Sequence, residues 1–160
     1  MSKELTLEDI QNSYKRIKPH IKRTLNDYSF NISESLGINL YLKLEMLQRC
    51  KTFKFRGAFS KICTLPKGSK IACCSSGNHS QGCALAAKIC GINCVVYMPE
   101  TAPEAKVAAT KGYGAEVRQA GHTFDGAYKK CMEDLKKEKD LIFISPRMIW
   151  MLSLAKEQSV

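Results

Sequence analysis

Residues 52–58 read Thr-Phe-Lys-Phe-Arg-Gly-Ala, and residues 75–82 read Ser-Ser-Gly-Asn-His-Ser-Gln-Gly. Each stretch follows an apolar, strand-like run and opens a helix-like one. The alternation continues downstream, and the pattern predicts strands at 71–74, 94–98, 116–119 and 141–144, separated by helices at 77–90, 103–111 and 124–137. Strands that alternate with helices in this way predict an α/β fold with an open, parallel, doubly wound sheet.

The residues before this alternation show weaker signals. Residues 6–9, Thr-Leu-Glu-Asp, fit a capping box for a first helix that ends near Pro19. Residues 39–45 alternate between leucine and other side chains, which predicts a strand. A helix is predicted over 54–64.

The composition excludes several classes of protein. The 160 residues, 44% of them hydrophobic, are enough for one domain or one and a half with a real core. No apolar run approaches the length of a membrane span, and residues 1–4 carry no apolar segment of a secretory leader. We therefore expect a cytoplasmic protein that does not enter the membrane, with its eight cysteines reduced.

The cysteines and histidines show no spacing typical of a metal site. The cysteines stand at 50, 63, 73, 74, 83, 90, 94 and 131, and the histidines at 20, 79 and 122. Zinc sites normally use close pairs such as Cys-x-x-Cys, often with a histidine nearby. The sequence therefore predicts no metal site, and we interpret the cysteines as small apolar residues.

The net charge of +10 raises the question of nucleic-acid binding. The basic residues are spread along helix-like segments, with Glu133, Asp134 and Glu138 among the lysines of 129–137. This distribution is typical of solvated helix faces, and no nucleic-acid-binding motif is visible. Nucleic acid is not expected as a partner, although a basic binding module stays open as an alternative function.

Lys54 is the first candidate for chemistry. A lysine just inside a helix start, facing a loop of glycine, serine and asparagine, suits an aldehyde cofactor carried on the amine. Phe53 and Phe55 flank it, and aromatic neighbours remove water from an ammonium group. The alternative is an ordinary surface lysine in the first turn of a helix.

The second candidate is the loop at 75–82, which lies where a strand ends and a helix begins. The first N–H groups of a helix have no partner within it, and such a place binds anions. The alternative is a structural glycine turn in which Ser76 caps the helix.

Taken together and in this order, the two motifs resemble those of the fold-type II pyridoxal-phosphate enzymes, specifically the serine racemase and serine/threonine dehydratase (threonine ammonia-lyase) group. The resemblance runs from about Ile10 to Pro146. It implies a tryptophan-synthase-β-like fold, an open parallel sheet with flanking helices, in truncated form. Residues 1–66 would be the incomplete N-terminal part of the large cofactor domain, and residues 67–146 the small α/β domain.

The resemblance also implies roles for individual residues. Phe53, Lys54 and Asn78 would bind pyridoxal 5'-phosphate: Lys54 would hold the cofactor and remove the substrate α-proton, and Asn78 would bond the phenolic oxygen of the cofactor. The substrate carboxylate would bind to the segment Ser75, Ser76, Gly77, Asn78 and His79. Ser76 lies where racemases of this group carry the acid/base of the opposite face. The histidine is expected to be a hydrogen-bonding residue of the loop rather than a catalyst.

The implied activity of the intact parent is dehydration and deamination of L-serine or L-threonine to a 2-oxo acid and ammonia, with serine racemisation as a further activity. The parent would be a homodimer acting on a small hydroxyamino acid. Glu45, Gln48 and the Ser-Ser-Gly-Asn-His wording favour this group over the cysteine-synthase branch. Two departures from the group's pattern leave the geometry near the lysine open: Thr52 replaces a serine, and Leu25 stands where a proline is usual.

The resemblance stops after Pro146. There the family continues with acidic residues and then Val-Ile-Ala-Gly-Gln-Gly-Thr, whereas residues 147–158 read Arg-Met-Ile-Trp-Met-Leu-Ser-Leu-Ala-Lys-Glu-Gln. Codons permitted for 148–158, read one base earlier, translate to Asn-Asp-Met-Asp-Val-Ile-Ala-Gly-Gln-Gly-Thr. We therefore interpret 147–160 as an out-of-frame tail. The alternative is a divergent or alternatively spliced end with an apolar helix over 148–154.

The break bears on function, because the family's phosphate loop, its partner for the pyridine nitrogen and its metal site all lie beyond it. A truncated, non-catalytic product of such a gene is therefore the alternative to an enzyme. With too few strands to bury its apolar faces, the segment 1–64 is expected to pack poorly, while 68–144 folds as a small α/β unit.

Overall fold

The structure, a computed structural model, describes residues 6–146. Within this range the helices are α1 (Leu7–Ile17), α2 (Phe30–Leu36), α3 (Lys54–Ile62), α4 (Asn78–Cys90), α5 (Glu104–Gly112) and α6 (Phe124–Lys137). The strands are β1 (Asn26–Tyr28), β2 (Tyr41–Lys43), β3 (Lys70–Cys74), β4 (Asn93–Met98), β5 (Glu116–Gln119) and β6 (Leu141–Phe143). Short 3-10 turns occupy Lys18–His20 and Glu45–Leu47.

The main sheet is parallel, four-stranded and ordered β5-β4-β3-β6, which confirms the predicted open parallel sheet. Side chains alternate between its two faces, as the period of a strand requires. Ile71, Cys73 and Val96 point into a core shared with α3 and α4. Ala72 and Tyr97 point into a second core against α6. The sheet is therefore covered on both faces, as expected for parallel strands.

The helix boundaries follow their predicted signals closely. Thr6 and Asp9 form the expected capping box, in which the Thr6 hydroxyl accepts from the Asp9 N–H at 3.1 Å and the Asp9 carboxylate accepts from the Thr6 N–H at 3.1 Å. Gly91 ends α4 in the left-handed region at φ 67°, a conformation that suits glycine. None of the described helices is long and apolar enough to cross a membrane.

The N-terminal region departs from the sequence-based expectation in one respect. The strand predicted over 39–45 is shorter, and β2 pairs in antiparallel fashion with β1 in a separate two-stranded sheet. Every residue of β1 is exposed, so no apolar alternation marked it in the sequence. The strand ends before Glu45 because that carboxylate turns inward to a buried arginine of α3, described below.

Packing within 1–64 is uneven. Ile17, Phe55, Phe59 and Ile62 are at most 2% exposed and belong to the same core as α4. Between 25 and 47, in contrast, large apolar side chains face solvent, among them Leu25, Phe30, Leu36, Tyr41 and Met46. The expected weakness of packing therefore applies to 25–47 and not to α1 or α3. The domain boundary at 66/67 stays a prediction, and the tail 147–160 lies outside the described residues.

Limited proteolysis of the 160-residue chain should cut first between 25 and 47. Segments with few buried apolar contacts open locally at low free-energy cost, whereas α3 and the parallel sheet open only with the core. Peptide mapping over time measures the order of the cuts. Equal resistance of 25–47 and 68–143 would contradict this account.

Candidate active site

Lys54 is the first residue of α3, and the turn before it fixes its backbone. The Thr52 hydroxyl accepts a hydrogen bond from the Lys54 N–H at 3.3 Å. Lys51 adopts φ 59°, an unusual left-handed conformation for a residue with a side chain. Such conformations persist where surrounding structure imposes them and are concentrated at functional sites. Because threonine supplies the same hydroxyl as serine, the departure at position 52 leaves this contact intact.

The Lys54 side chain is half-buried and lies over its aromatic neighbour. Its Nζ is 5.0 Å from the centre of the Phe53 ring, a cation–π distance. The Phe53 ring is itself 37% exposed, so this contact lies at the surface of the site and not in the core. The amine is thus held in place while remaining accessible to a ligand.

A buried ion pair holds α3 beneath the lysine. The Arg56 guanidinium, 4% exposed, donates from Nε and Nη2 to the two Glu45 oxygens at 2.8 and 2.7 Å. The Thr24 hydroxyl also donates to Glu45, at 2.6 Å. Burial acts to raise the pKa of Glu45, but hydrogen bonds from Arg56 and Thr24 and the arginine charge outweigh it, so the pKa is lowered.

Gln48 completes this support. Its fully buried amide accepts from the Lys22 N–H at 2.9 Å and donates to the Lys22 carbonyl at 2.9 Å. It also accepts from the Arg49 N–H at 3.1 Å. Glu45 and Gln48, which the sequence marks only as family signatures, are therefore structural residues that tie the segment around Lys22 to α3.

The second motif forms the loop from β3 into α4. The Ser75 N–H donates to the Tyr97 carbonyl at 3.1 Å, and the Ser75 hydroxyl accepts from the Gly77 N–H at 3.1 Å. Gly77 is the N-cap of α4, so the interpretation of Ser76 as a helix cap is wrong. The Ser80 hydroxyl donates back to the Gly77 carbonyl at 2.6 Å. Ser76 is half-buried and Asn78, the first residue of the helix, is exposed.

The beginning of α4 has the properties of an anion site. Gly77 has no side chain to accept from the first N–H groups of the 13-residue helix. These N–H groups have no acceptor within the helix, and the helix dipole adds partial positive charge at this end. A carboxylate or a phenolate oxygen is the kind of group that binds there.

The position of the loop in the sheet also favours ligand binding. Along the chain, β4 and β5 add to one side of β3, whereas β6 adds to the other. In open α/β sheets, ligands bind at the carboxyl ends of strands where the strand order reverses in this way. The loop 75–77 follows β3 at that point, and Ile144 follows β6 beside it, since its N–H donates to the Ala72 carbonyl at 2.8 Å.

Gly82 brings the two motifs together. A Cβ built on it would lie 3.2 Å from the Lys54 carbonyl carbon, 3.3 Å from the Lys54 oxygen and 3.3 Å from the Phe55 nitrogen. These distances are shorter than most Cβ contacts, so glycine lets α4 approach the start of α3 without strain. Gly82 is the last residue of the motif at 75–82, but no role for it was predicted from the sequence. The available signal was a glycine inside an alanine-rich helix, which normally costs about 1 kcal/mol relative to alanine and so indicates a packing reason.

His79 is buried at 4% exposure and serves as a hydrogen-bonding residue. Its Nε2 lies 3.1 Å from the Ile144 carbonyl oxygen, which can only accept, so this nitrogen donates. Burial lowers the pKa of His79 to about 4; the bond to Ile144 opposes the shift and the charge of Lys54 adds to it. The imidazole is therefore neutral at ordinary pH.

The sequence profile of a family described as "Pyridoxal-phosphate dependent enzyme" matches residues 17–148. This chain belongs to that family. It is 44% identical over 146 residues to the catabolic L-threonine dehydratase of Staphylococcus aureus, covering 89% of this chain and 42% of that protein. It is 39% identical over 145 residues to the L-threonine ammonia-lyase of Thermotoga maritima, covering 89% of this chain and 36% of that protein.

The fold is similar to that of serine racemase from Dictyostelium discoideum, with a TM-score of 0.80 and 32% identity over 92% of this chain and 50% of that chain. The fold-type II resemblance inferred from the two motifs is thereby confirmed. The chain spans about two fifths of the length of the curated relatives it matches.

The described residues fit the cofactor that the family name implies. An accessible lysine amine, a helix start able to hold an anionic oxygen, and a glycine that fixes the distance between them match a reactive aldehyde with an adjacent phenolic oxygen. The phosphate group has no identified partner among residues 6–146. The fit therefore concerns the ring and aldehyde end of the molecule.

The substitution Gly82→Ala should lower the free energy of unfolding by about 1–3 kcal/mol, because the new methyl group comes within 3.2–3.3 Å of backbone atoms of Lys54 and Phe55, which are held in α3 and must shift to accommodate it. Chemical denaturation measures the change. Gly112→Ala is the matched control, since that glycine also lies in a helix but has nothing within 4 Å of the added carbon. The alanine there should be neutral or slightly stabilising. Equal stability of the two variants would show that α4 does not press on α3.

His79 should make the stability of the chain depend on pH in a defined window. Its pKa is lower in the folded state than in the unfolded chain, so the unfolded state binds the proton first as pH falls. Stability should decline by an amount on the order of 3 kcal/mol between about pH 6.5 and pH 4. His79→Gln, which retains a donor for the Ile144 carbonyl, should remove this dependence.

Denaturation curves at several pH values for the wild-type chain and His79→Gln measure the effect. His122→Gln is the control, because the His122 side chain is 84% exposed. Parallel pH profiles for all three proteins would contradict a buried, neutral His79.

Proposed function

We propose that this chain forms the lysine-bearing part of a pyridoxal-phosphate-dependent ammonia-lyase that converts L-serine or L-threonine to a 2-oxo acid and ammonia. The observation that carries the proposal is the contact at Gly82, which sets Lys54 against the helix that starts at the Ser-Ser-Gly-Asn-His loop. Relatives named L-threonine dehydratase and L-threonine ammonia-lyase at 44% and 39% identity support this substrate class.

Each residue of the site has a task in such a reaction. The Lys54 amine holds the cofactor and, once released, takes the α-proton of the substrate. The N–H groups at the start of α4 bind the substrate carboxylate within Ser75–His79, and the exposed Asn78 amide donates to the phenolic oxygen of the cofactor. Pyridoxal phosphate supplies an electron sink for the charge left when the α-proton is removed.

Two features of the site favour proton transfer by Lys54. Neutral His79, which is buried at 4% exposure, adds no second positive charge beside the ammonium. The Phe53 ring covers one side of the amine.

Ser76 is proposed as the acid/base on the opposite face. Dehydration needs one base and an acid for the leaving hydroxyl, whereas racemisation needs a proton donor on each face. The half-buried Ser76 precedes the N-cap and does not cap α4, so its hydroxyl is not committed to that task. Serine racemisation is therefore proposed as a second activity, and the similarity to a serine racemase supports it.

The whole reaction is proposed for a protein that also contains what the rest of the relatives' length supplies. The chain spans about two fifths of those relatives, which favours a second candidate: a chain that forms the lysine site but does not turn over substrate alone. We further propose a homodimeric parent in the reducing cytoplasm. The eight free cysteines, five of them at most 2% exposed, support that compartment.

Reduction with borohydride after incubation with pyridoxal phosphate tests the lysine assignment directly. Reduction leaves the cofactor covalently attached to the lysine that bound it, and this label should appear on the peptide of the 160-residue chain that contains Lys54. Lys54→Ala should abolish the label and also the visible absorption band of the Schiff base. Lys61→Ala is the control, because Lys61 lies on the same helix and is also half-buried. It should leave both signals unchanged.

A label spread over surface lysines, with Lys54→Ala unchanged, would overturn the assignment. Assay of 2-oxo acid release from L-serine and L-threonine then separates the two candidates. Turnover by the 160-residue chain, lost in Lys54→Ala, supports an enzyme. Specific labelling of Lys54 without turnover supports the non-catalytic candidate.

A further inference from the structure

Two thiols that have no part in the proposed reaction, those of Cys73 and Cys83, lie close to the His79 imidazole in the core beneath the loop 75–79. Cys73 and Cys83 are fully buried, and His79 is 4% exposed. One sulfur or nitrogen atom from each lies within 4.8 Å of the other two. Cys73 lies on β3, whereas His79 and Cys83 lie four residues apart on α4 and so share one face of that helix.

The hydrogen bond of His79 leaves the correct nitrogen available for a ligand. Because Nε2 donates to the Ile144 carbonyl, the proton resides there and Nδ1 keeps its lone pair. Nδ1 lies 3.7 Å from the Cys83 sulfur. Metal-binding histidines are typically oriented in this way, with the second ring nitrogen donating to a backbone carbonyl or a carboxylate.

The separation between Cys83 and His79 is close to that of two ligands in a tetrahedral zinc site. Zinc–sulfur and zinc–nitrogen bonds of about 2.3 and 2.0 Å place two sulfurs about 3.8 Å apart and a sulfur and a nitrogen about 3.5 Å apart. The Cys83 sulfur lies 3.6 and 3.7 Å from the two His79 nitrogens, and the upper limit of 4.8 Å covers the Cys73 contacts. The Cys83 sulfur is about equally far from both ring nitrogens, so binding an ion at Nδ1 requires the Cys83 side chain to rotate towards that nitrogen as well as a contraction of the three ligand atoms.

We infer that Cys73, His79 and Cys83 form a binding site for one thiophilic divalent cation of the zinc class. Two thiolates and a neutral imidazole around such an ion carry no net charge, so the complex can be buried without an unpaired charge. Soft sulfur ligands select zinc over magnesium or calcium. The thiol of Cys94 interacts with that of Cys73, so a further sulfur atom lies next to the three proposed ligands.

The fold explains why sequence spacing indicated no such site. The spacing 73, 79, 83 contains no close cysteine pair, and the ligands meet only because α4 packs directly on β3. Cys74 provides the contrast, since it is 1% exposed yet points to the other face of the sheet, into the core against α6. It is therefore a matched control in sequence position and in burial.

Zinc titration of the chelator-stripped, reduced 160-residue chain tests the site, with a chromogenic chelator as competitor and no pyridoxal phosphate present. The wild-type chain and Cys74→Ala should each bind one equivalent. Cys73→Ala and Cys83→Ala should bind at least about tenfold more weakly, since even the loss of a supporting contact to a metal ligand costs 10- to 100-fold. Because no cofactor is used, the outcome is independent of the proposed function.

A second control addresses the more accessible cysteines. Cys63 and Cys90 are half-buried and interact with each other. The double variant Cys63→Ala/Cys90→Ala should bind zinc as the wild type does. Circular dichroism tests whether each variant is folded. If Cys73→Ala does not fold, the zinc affinities of Cys83→Ala and His79→Gln test the site.

Three results would overturn the inference. The first is wild-type affinity in folded Cys83→Ala and His79→Gln. The second is a loss in Cys74→Ala or in the Cys63/Cys90 double variant as large as the loss in Cys83→Ala. The third is the absence of stoichiometric binding by the wild-type chain.

Discussion

The site depends on one steric constraint: α4 contacts the first turn of α3 at Gly82, where no side chain separates the two backbones. Gly82 packs against the Lys54 carbonyl group. A Cβ added to Gly82 would lie only 3.2 Å from the Lys54 carbonyl carbon and 3.3 Å from its oxygen. Glycine in a helix interior is intrinsically unfavourable, so its presence here reflects the packing it permits. Because the contact is with backbone rather than with a flexible side chain, it fixes the origin of the Lys54 side chain relative to the start of α4.

A second group of interactions, on the N-terminal segment of the chain, holds α3 in place against α4. The bidentate Arg56–Glu45 pair and the Gln48 amide bind α3 to the chain around Lys22 and Thr24. Removing one partner of a buried ion pair typically costs 3–5 kcal/mol, because the other charge is left without compensation. Exposed apolar residues lie close by in sequence, between 25 and 47, so this polar network fixes part of a region whose hydrophobic packing is incomplete.

How far the sequence predicts this structure differs between its two regions. From 70 to 143 the strands and helices were predicted within one or two residues, because buried parallel strands form apolar runs and the helices carry clear start and stop signals. The exposed strand β1 gives no such signal. The motifs predicted Lys54 and the loop 75–79 as candidates, but the distance between them depends on the packing of α4, which periodicity does not contain. Ser76 illustrates the limit, since its residue type suits a cap and the backbone places the cap one residue later.

The position of β3 explains why the loop 75–79 lies close to the thiols of Cys73 and Cys83. Successive side chains of a strand point to opposite faces, so Cys73 enters the core beneath α4 while Cys74 enters the core against α6. The same strand is followed directly by Ser75, whose bonds to Tyr97 and Gly77 set the start of α4. His79 joins the loop to the thiols, because its ring bonds Ile144 and contacts Cys83 while its backbone belongs to the first turn of α4. The side chains of Cys73 and Cys83 are therefore joined to the loop 75–79 by two routes, through the end of β3 and through His79 in the first turn of α4.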